Sequence, residues 1–198
     1  MDNFTFSKKS ATMSYCRFVQ SITSEKDLIH KVYHDRYYGF PLEDDNQLFG
    51  RLILEINQAG LSWATILRKE AAFQKAFDGY QIIKIARYKD KDIQRLLSDE
   101  GIIRNRLKIQ AVIYNAGVLL TLQQSHGSFK NWLDSHHPLS KPEWVKLFKK
   151  TFKFTGGEIT GEFLMSTGYL PGAHDPDCPI MKKLNKLKNL PLNKKPKK

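Results

Sequence analysis

Apolar residues recur at helical spacing along most of this chain. The clearest stretch runs from residue 45 to 59, where Leu48, Leu52 and Ile56 fall on one side of a helix. The same periodicity predicts helices over 24–33, 45–59, 62–77, 82–88, 92–97, 107–124, 128–133, 142–152 and 157–167. Strands do not alternate with these helices in the pattern. We therefore predict an all-α single helical domain, with both chain ends outside the main bundle.

Positive charge is concentrated at the C-terminus. The chain has 32 Lys and Arg against 20 Asp and Glu, for a net charge of +12, and residues 182–198 contain eight lysines and no acid. Such a segment attracts polyanions, nucleic acid above all, or serves only as a solubilising tail. We divide the chain into an N-terminal extension (1–15), a folded domain (16–181) and a lysine-rich tail (182–198).

The sequence also bears on the compartment. No apolar run reaches the roughly 18 residues of a membrane helix, and the first residues lack the apolar region of a secretory signal. Two cysteines do not suffice for a disulfide scaffold. We expect a cytoplasmic protein with no membrane partner. The sequence gives no reason to expect an oligomer or an obligate protein partner.

One carboxylate interrupts the apolar side of the helix over 45–59. Leu48, Leu52, Glu55 and Ala59 share one face of that helix. A buried carboxylate is costly unless it is paired or hydrogen-bonded. Glu55 either lies at the edge of the stripe with a structural partner or lines a ligand pocket, in which case nearby aromatic residues such as Tyr33 and Trp63 would suit a flat, cationic ligand.

Residues 96–111 (LLSDEGIIRNRLKIQA) are typical of a helical hairpin with a glycine in its connection. A helix N-terminus with exposed backbone N–H groups favours an anion. We predict that this hairpin grips DNA phosphates through Gly101, Arg104, Arg106 and Lys108. The alternative is an ordinary packing corner. No Asp or Glu occurs from Gly101 through Leu133, so an enzyme of this type would work without a catalytic acid after the hairpin.

Both cysteines and two histidines lie near the ends of the domain. Cys16, His34, His174 and Cys178 would make a four-ligand zinc set with no open position, which fits a structural site. Their spacing does not match a compact zinc finger, and two buried thiols with two surface histidines remain the alternative. A metal here would tie the terminal segments together.

Several segments in one order along the chain carry a family resemblance: YHDRYYGFPLEDDNQLF, LEINQAGLSWATILRKEAAFQKAF, GIIRNRLKIQAVIYNA, FKFTGGEITGEFLMSTGYL and HDPDC. Together with the terminal cysteines they resemble DNA-3-methyladenine glycosylase I, of the helix-hairpin-helix superfamily. The resemblance spans most of the chain. It implies a monofunctional base-excision repair enzyme that hydrolyses the N-glycosidic bond of 3-methyladenine in alkylated double-stranded DNA, without a strand-cleaving lyase step.

The resemblance also assigns residues. It implies a catalytic and base-binding carboxylate at Glu55, with Trp63, Tyr33 and Tyr38 completing the base pocket. It implies one structural Zn²⁺ per chain, held by the cysteines and histidines named above. Water would attack the anomeric carbon of a flipped nucleotide whose base is already cationic.

The sequence departs from the family pattern at the last predicted helix. Gly161 and Glu162 stand where the family has Tyr and Ser, and Ser166 stands where it has Gln. Glu158 and Glu162 are four residues apart, and we interpret them as a solvated acidic face, with an extra carboxylate in the pocket as the alternative. Tyr38 replaces a family Trp. A non-catalytic nucleic-acid-binding module and a helical protein-interaction domain remain rival functions.

Overall fold

The computed structural model describes residues 13–194, and this part of the chain is helical without β-strands. This confirms the all-α prediction. The α-helices are α1 (Tyr15–Gln20), α2 (Leu28–Arg36), α3 (Asp45–Gln58), α4 (Trp63–Ala76), α5 (Ile82–Ile85), α6 (Asp90–Ser98), α7 (Arg106–His126), α8 (Phe129–His136), α9 (Lys141–Thr151), α10 (Gly157–Ser166) and α11 (Pro179–Leu184). Short 3₁₀ helices occupy Glu25–Asp27, Asp78–Tyr80 and Pro191–Asn193.

Helix α3 lies at the centre of the domain. It packs against α4, α7, α8 and α10, and its residues 48–57 are all buried. Its start is fixed by Asp44, whose Oδ1 accepts a hydrogen bond from Gln47 N at 2.9 Å. The next residue, Asp45, accepts from Phe129 N at 2.7 Å and Lys130 N at 3.0 Å, and so caps α8. The helix that carries Glu55 is thus packed into the core along its length, and hydrogen bonds to α8 fix its first turn.

Helices α6 and α7 form the predicted hairpin. Residues 99–105 connect them, and the Asn105 side chain accepts a hydrogen bond from Lys108 N at the start of α7. Gly101 lies against α4: a Cβ there would be 2.9 Å from the Cβ of Ala72 and 2.9 Å from Asp99 Oδ1. The glycine is therefore required by this close approach.

The terminal segments are more ordered than the sequence pattern predicts. We expect a loop and a lysine arm after Gly168, but α11 begins at Pro179, and Leu184 and Leu190 are buried beside Cys16 and Cys178. Apolar residues between the lysines supply this packing. The first twelve residues of the predicted extension (1–15) and the last four of the predicted tail (182–198) lie outside the described residues.

The C-terminal segment is also held by polar contacts. Leu192 N donates to Gly168 O at 3.1 Å, and Lys194 Nζ lies 2.8 Å from Asp134 Oδ2. Gly168 has a φ of +79°, and a Cβ there would lie 2.7 Å from Leu190 Cδ1, so glycine is needed at this crossing. Within residues 13–194, no helix is long and apolar enough to cross a membrane.

Candidate functional site

Glu55 lies inside the domain, on the buried face of α3. Its residue surface is 4% exposed, and no group among residues 13–194 hydrogen-bonds its carboxylate. The pKa of Glu55 is raised to about 8, mainly by burial and also by the charge of Glu162, against the lowering effect of Arg51 one turn earlier. Within the described residues, Glu55 therefore does not match the structural alternative. That alternative was a carboxylate at the edge of the apolar stripe with a hydrogen-bonded partner.

Three aromatic side chains stand together around this region. The ring centroids of Tyr33 and Trp63 are 5.1 Å apart, and those of Tyr33 and Tyr38 are 5.6 Å apart. Arg51 fixes Tyr33: its Nη1 donates to the Tyr33 hydroxyl at 2.9 Å, and its guanidinium carbon lies 5.0 Å from the ring centroid. The structure thus brings Tyr33, Tyr38 and Trp63 into one wall.

The indole of Trp63 carries an unsatisfied donor. Its Nε1 is buried and has no hydrogen-bond partner in the structure. A buried N–H without a partner costs free energy, and native proteins rarely keep one without a reason. The aromatic wall and the electrostatically coupled Glu55 therefore offer a ligand an unused donor and an unused acceptor.

Glu162 belongs to this site, contrary to the prediction of a solvated acidic face for Glu158 and Glu162. Glu158 is exposed, but Glu162 is only partly exposed, and its Oε2 accepts a hydrogen bond from the Tyr38 hydroxyl at 3.2 Å. Tyr38 is itself 8% exposed. The helical spacing was right, but α10 turns Glu162 toward the aromatic wall.

The residues of the hairpin have different environments. Arg104 and Arg106 are exposed, and Arg104 makes a 3.6 Å surface ion pair with Glu100. Two of the four residues predicted to contact phosphate, Gly101 and Lys108, already have hydrogen-bond partners within the protein. The N–H of Gly101 donates to Asp99 Oδ1 at 2.8 Å. The side chain of Lys108 is buried.

Lys108 serves the protein interior. Its Nζ donates to Asn57 O at 2.9 Å and to Ala59 O at 2.8 Å, which are carbonyls at the end of α3. Its backbone is at the start of α7, and its ammonium is directed to the end of α3. The phosphate contact of Lys108 stays a prediction, and a phosphate would compete with these two carbonyls for the ammonium.

The structure brings the four predicted metal ligands together, which their sequence spacing alone could not establish. They are Cys16, His34, His174 and Cys178. All four are buried, and their candidate ligand atoms lie within 4.8 Å of one another. The sulfur–nitrogen distances run from 3.2 to 3.8 Å, and His34 Nε2 lies 3.1 Å from His174 Nδ1. A tetrahedron with metal–ligand bonds of about 2.0–2.3 Å has edges of roughly 3.3–3.8 Å, so the donor set fits a metal ion.

The second nitrogen of each histidine is also held. His34 Nδ1 lies 2.7 Å from Asp35 Oδ1, and His174 Nε2 lies 2.8 Å from Tyr38 O. Such outer contacts fix the ring orientation and the nitrogen that faces a metal. Because Tyr38 carries one of them, the Cys/His cluster also positions the aromatic wall.

Arg51 is the part of the site that sequence reasoning missed, and the inward direction of Glu162 was only its less favoured alternative. Arg51 lies four residues before Glu55 on the same helix, so an i, i+4 pairing of opposite charges on a buried face was a usable signal. The direction of Glu162 depends on how α10 packs against α3, which no local pattern records.

Comparison with known proteins decides the family. The model of the family described as methyladenine glycosylase matches residues 23–146. The chain belongs to this family. DNA-3-methyladenine glycosylase 1 of Escherichia coli (strain K12) is 34% identical over 166 residues, which are 72% of this chain and 87% of that protein. The DNA-3-methyladenine glycosylase of Haemophilus influenzae is 33% identical over 166 residues, which are 74% of this chain and 89% of that protein.

Solved structures of methyladenine glycosylases share the fold. The enzyme from Staphylococcus aureus, solved to explain recognition of 3-methyladenine, has a TM-score of 0.73 at 31% identity, over 82% of this chain and 94% of that chain. A variant of 3-methyladenine DNA glycosylase I in complex with 3-methyladenine has a TM-score of 0.74 at 30% identity, covering 85% and 97%. The family predicted from the sequence motifs is thereby confirmed.

Proposed function

We propose that this methyladenine glycosylase releases 3-methyladenine from alkylated DNA by hydrolysing its N-glycosidic bond. One observation carries the proposal: Glu55, a buried carboxylate without a protein hydrogen bond, is coupled to an aromatic wall in which the buried Trp63 N–H lacks a partner. Methylation at N3 makes the base in DNA a cation with a flat ring and an exocyclic amino group. An acceptor carboxylate, a free donor and stacked rings match that chemistry.

The reaction follows from the charge of the substrate. The nucleotide is flipped out of the duplex, and its base enters the pocket with Trp63 and Tyr33 against the ring and Glu55 as hydrogen-bond acceptor. The carbon–nitrogen bond breaks with its electron pair going to the base, which leaves as a neutral molecule. Water adds to the anomeric carbon and loses a proton to solvent. The DNA phosphates stabilise the positive charge that develops on the sugar, so no strong general base is required.

The same chemistry explains why a lyase step is not expected. A lyase needs an amine that attacks the sugar, whereas a cationic base is already a good leaving group and departs without that attack. We propose double-stranded alkylated DNA as the partner, with Arg104 and Arg106 of the hairpin as phosphate contacts. We further propose a monomer that acts in the cytoplasm, where this substrate is found.

We also propose that the Cys/His cluster holds zinc. Two sulfurs and two imidazole nitrogens are a donor set that suits this metal, and four protein ligands leave no open coordination position. A zinc ion bound there supplies a structural cross-link. Cys16 and His34 would hold the N-terminal segment, and His174 and Cys178 the C-terminal one.

The proposed activity is tested by base release. Duplex DNA treated with a methylating agent is incubated with the protein, and the released bases are separated by chromatography. We expect free 3-methyladenine, with strands that remain intact until the abasic sites are cleaved by alkali. DNA binding without any released base would instead favour a non-catalytic nucleic-acid-binding module.

A further inference from the structure

The side chain of Glu162 is the feature of the site that the proposed reaction does not use. It reaches from α10 to the Tyr38 hydroxyl, which donates to its Oε2 at 3.2 Å. Tyr38 contacts Tyr33, and Tyr33 contacts Trp63. Glu162 is thus joined to the aromatic wall by a hydrogen bond at Tyr38, whereas Arg51 holds the Tyr33 hydroxyl.

The charge of Glu162 acts on Glu55. The charge of Glu162 raises the pKa of Glu55, and burial raises the pKa of Glu162 itself. The groups that bear on them come from three helices: Arg51 on α3, Lys141 on α9 and Glu158 on α10. Arg51 and Lys141 favour the charged carboxylates, whereas Glu158 opposes charge on Glu162. The pKa of both acids stays raised despite Arg51 and Lys141, so a positive ligand in this pocket would stabilise their charged forms.

The neighbouring glycine lets a cation approach Glu162. A Cβ at Gly161 would lie 2.8 Å from Lys141 Nζ, so any larger residue there would displace the lysine. Lys141 lowers the pKa of Glu162 by its charge, against the effect of burial. Gly161 therefore makes room for Lys141, whose charge favours the ionised form of Glu162.

We propose that Glu162 is a second base-binding carboxylate. It acts on the base beside Tyr38 and also through its hydrogen bond to Tyr38. It thereby favours purines that alkylation has made cationic over neutral purines. This inference rests on the proposed function. The positive charge moves from the base to the sugar as the bond breaks. A carboxylate at the base therefore strengthens binding of the flipped substrate and does not accelerate bond cleavage. Its loss should weaken binding and leave the chemical step unchanged.

The test compares Glu162→Gln with Glu70→Gln, a control at an exposed acid on α4. Single-turnover release of 3-methyladenine from methylated duplex DNA gives the maximal rate and the protein concentration at half that rate. For Glu162→Gln we expect the half-saturating concentration to rise roughly tenfold with a maximal rate within about twofold of wild type. Glu70→Gln should match wild type. Equal behaviour of the two variants, or a loss confined to the maximal rate, would overturn the proposal.

A pH profile separates electrostatic recognition from a structural effect. In Glu162→Gln, the pH midpoint that reports Glu55 should fall by roughly half a unit or more, because a neighbouring negative charge is gone. Glu162→Asp should retain most of the wild-type profile. A midpoint that stays in place in Glu162→Gln would contradict the coupling.

A measurement on the wild-type protein does not depend on either variant folding. Carbon-13 NMR of labelled glutamate carboxyls follows Glu55 and Glu162 through pH, and we expect a shared, two-step titration. Independent single-step curves would overturn the proposal. A wild type that releases no base contradicts the proposed function, whereas this titration still decides whether the two carboxylates are coupled.

Discussion

Lys108 at the start of α7 is hydrogen-bonded to Ala59 at the end of α3. Its Nζ lies 2.8 Å from Ala59 O and 2.9 Å from Asn57 O. The last carbonyls of a helix need donors from outside the helix, and a cation at this end also interacts favourably with the helix dipole. The hairpin is thereby fastened to the turn that leads from Glu55 to Trp63.

Removing this ammonium should loosen the turn. In Lys108→Met a buried carbonyl and a partly buried one lose their partner, and we expect the free energy of unfolding to fall by about 1–3 kcal/mol. The rate of 3-methyladenine release should fall with it, because Trp63 begins the next helix. Urea unfolding and single-turnover base release measure the two effects. A variant as stable as wild type would show that the contact does not hold the turn.

Arg106 should behave in the opposite way. It is exposed at the start of α7, so Arg106→Gln should leave the free energy of unfolding within about 0.5 kcal/mol of wild type. As a phosphate contact it should weaken DNA binding and reduce the slope of log affinity against log salt by about 1. Fluorescence anisotropy with duplex DNA at several salt concentrations gives this slope. An unchanged slope would remove Arg106 from the DNA interface.

The raised pKa of Glu55 predicts a pH dependence of stability. The folded protein holds a proton on this carboxyl up to about pH 8, whereas the unfolded chain releases it near its ordinary value. Stability from this group is complete at low pH and is lost as the pH rises toward 8. Glu55→Gln lacks this titration. The free energy of unfolding of Glu55→Gln, relative to that of wild type, should therefore increase by up to about 4 kcal/mol between pH 5 and pH 9.

This difference is measured by urea unfolding of both proteins at the two pH values. Titrating groups that are not coupled to Glu55 are common to both proteins and cancel. Parallel pH curves for wild type and Glu55→Gln would mean that the carboxyl titrates normally in the folded protein.

The Cys/His cluster predicts a metal-dependent fold of the terminal segments. Cys178→Ser should lose bound zinc and, with it, roughly 2–5 kcal/mol of unfolding free energy. His126→Ala, at the exposed end of α7, is the control and should change neither. Elemental analysis and thermal unfolding report the two quantities. Protein that purifies without zinc, and is no less stable as Cys178→Ser, would leave the cluster as an ordinary part of the core.

The long helices were predictable because their apolar periodicity coincides with clear caps. The stretches 45–59 and 62–77 correspond to Asp45–Gln58 and Trp63–Ala76, each preceded by an Asp or Ser whose side chain caps it. Helix α5 is shorter than its predicted range of 82–88, ending at Ile85. There the apolar residues continue beyond the helical backbone.

The short terminal helices could not be predicted in the same way. Helices α1 and α11 have six residues each, too few for a periodic pattern. Their order comes from packing of Leu184 and Leu190 against the two cysteines, across the whole length of the chain. Likewise, the identity of Glu55 as an unusual acid could be read from its helix face, but its coupling to Glu162 required the tertiary fold.

Recognition of a cationic base by Glu55 is tested most directly by single-turnover release of 3-methyladenine from methylated duplex DNA by Glu55→Gln. Glu70→Gln, an exposed acid on α4, is the matched control. We expect the efficiency of base release, the maximal rate over the half-saturating concentration, to fall at least about tenfold in Glu55→Gln, with a normal helical spectrum, and to stay at the wild-type value in Glu70→Gln. Wild-type efficiency in Glu55→Gln would contradict the account.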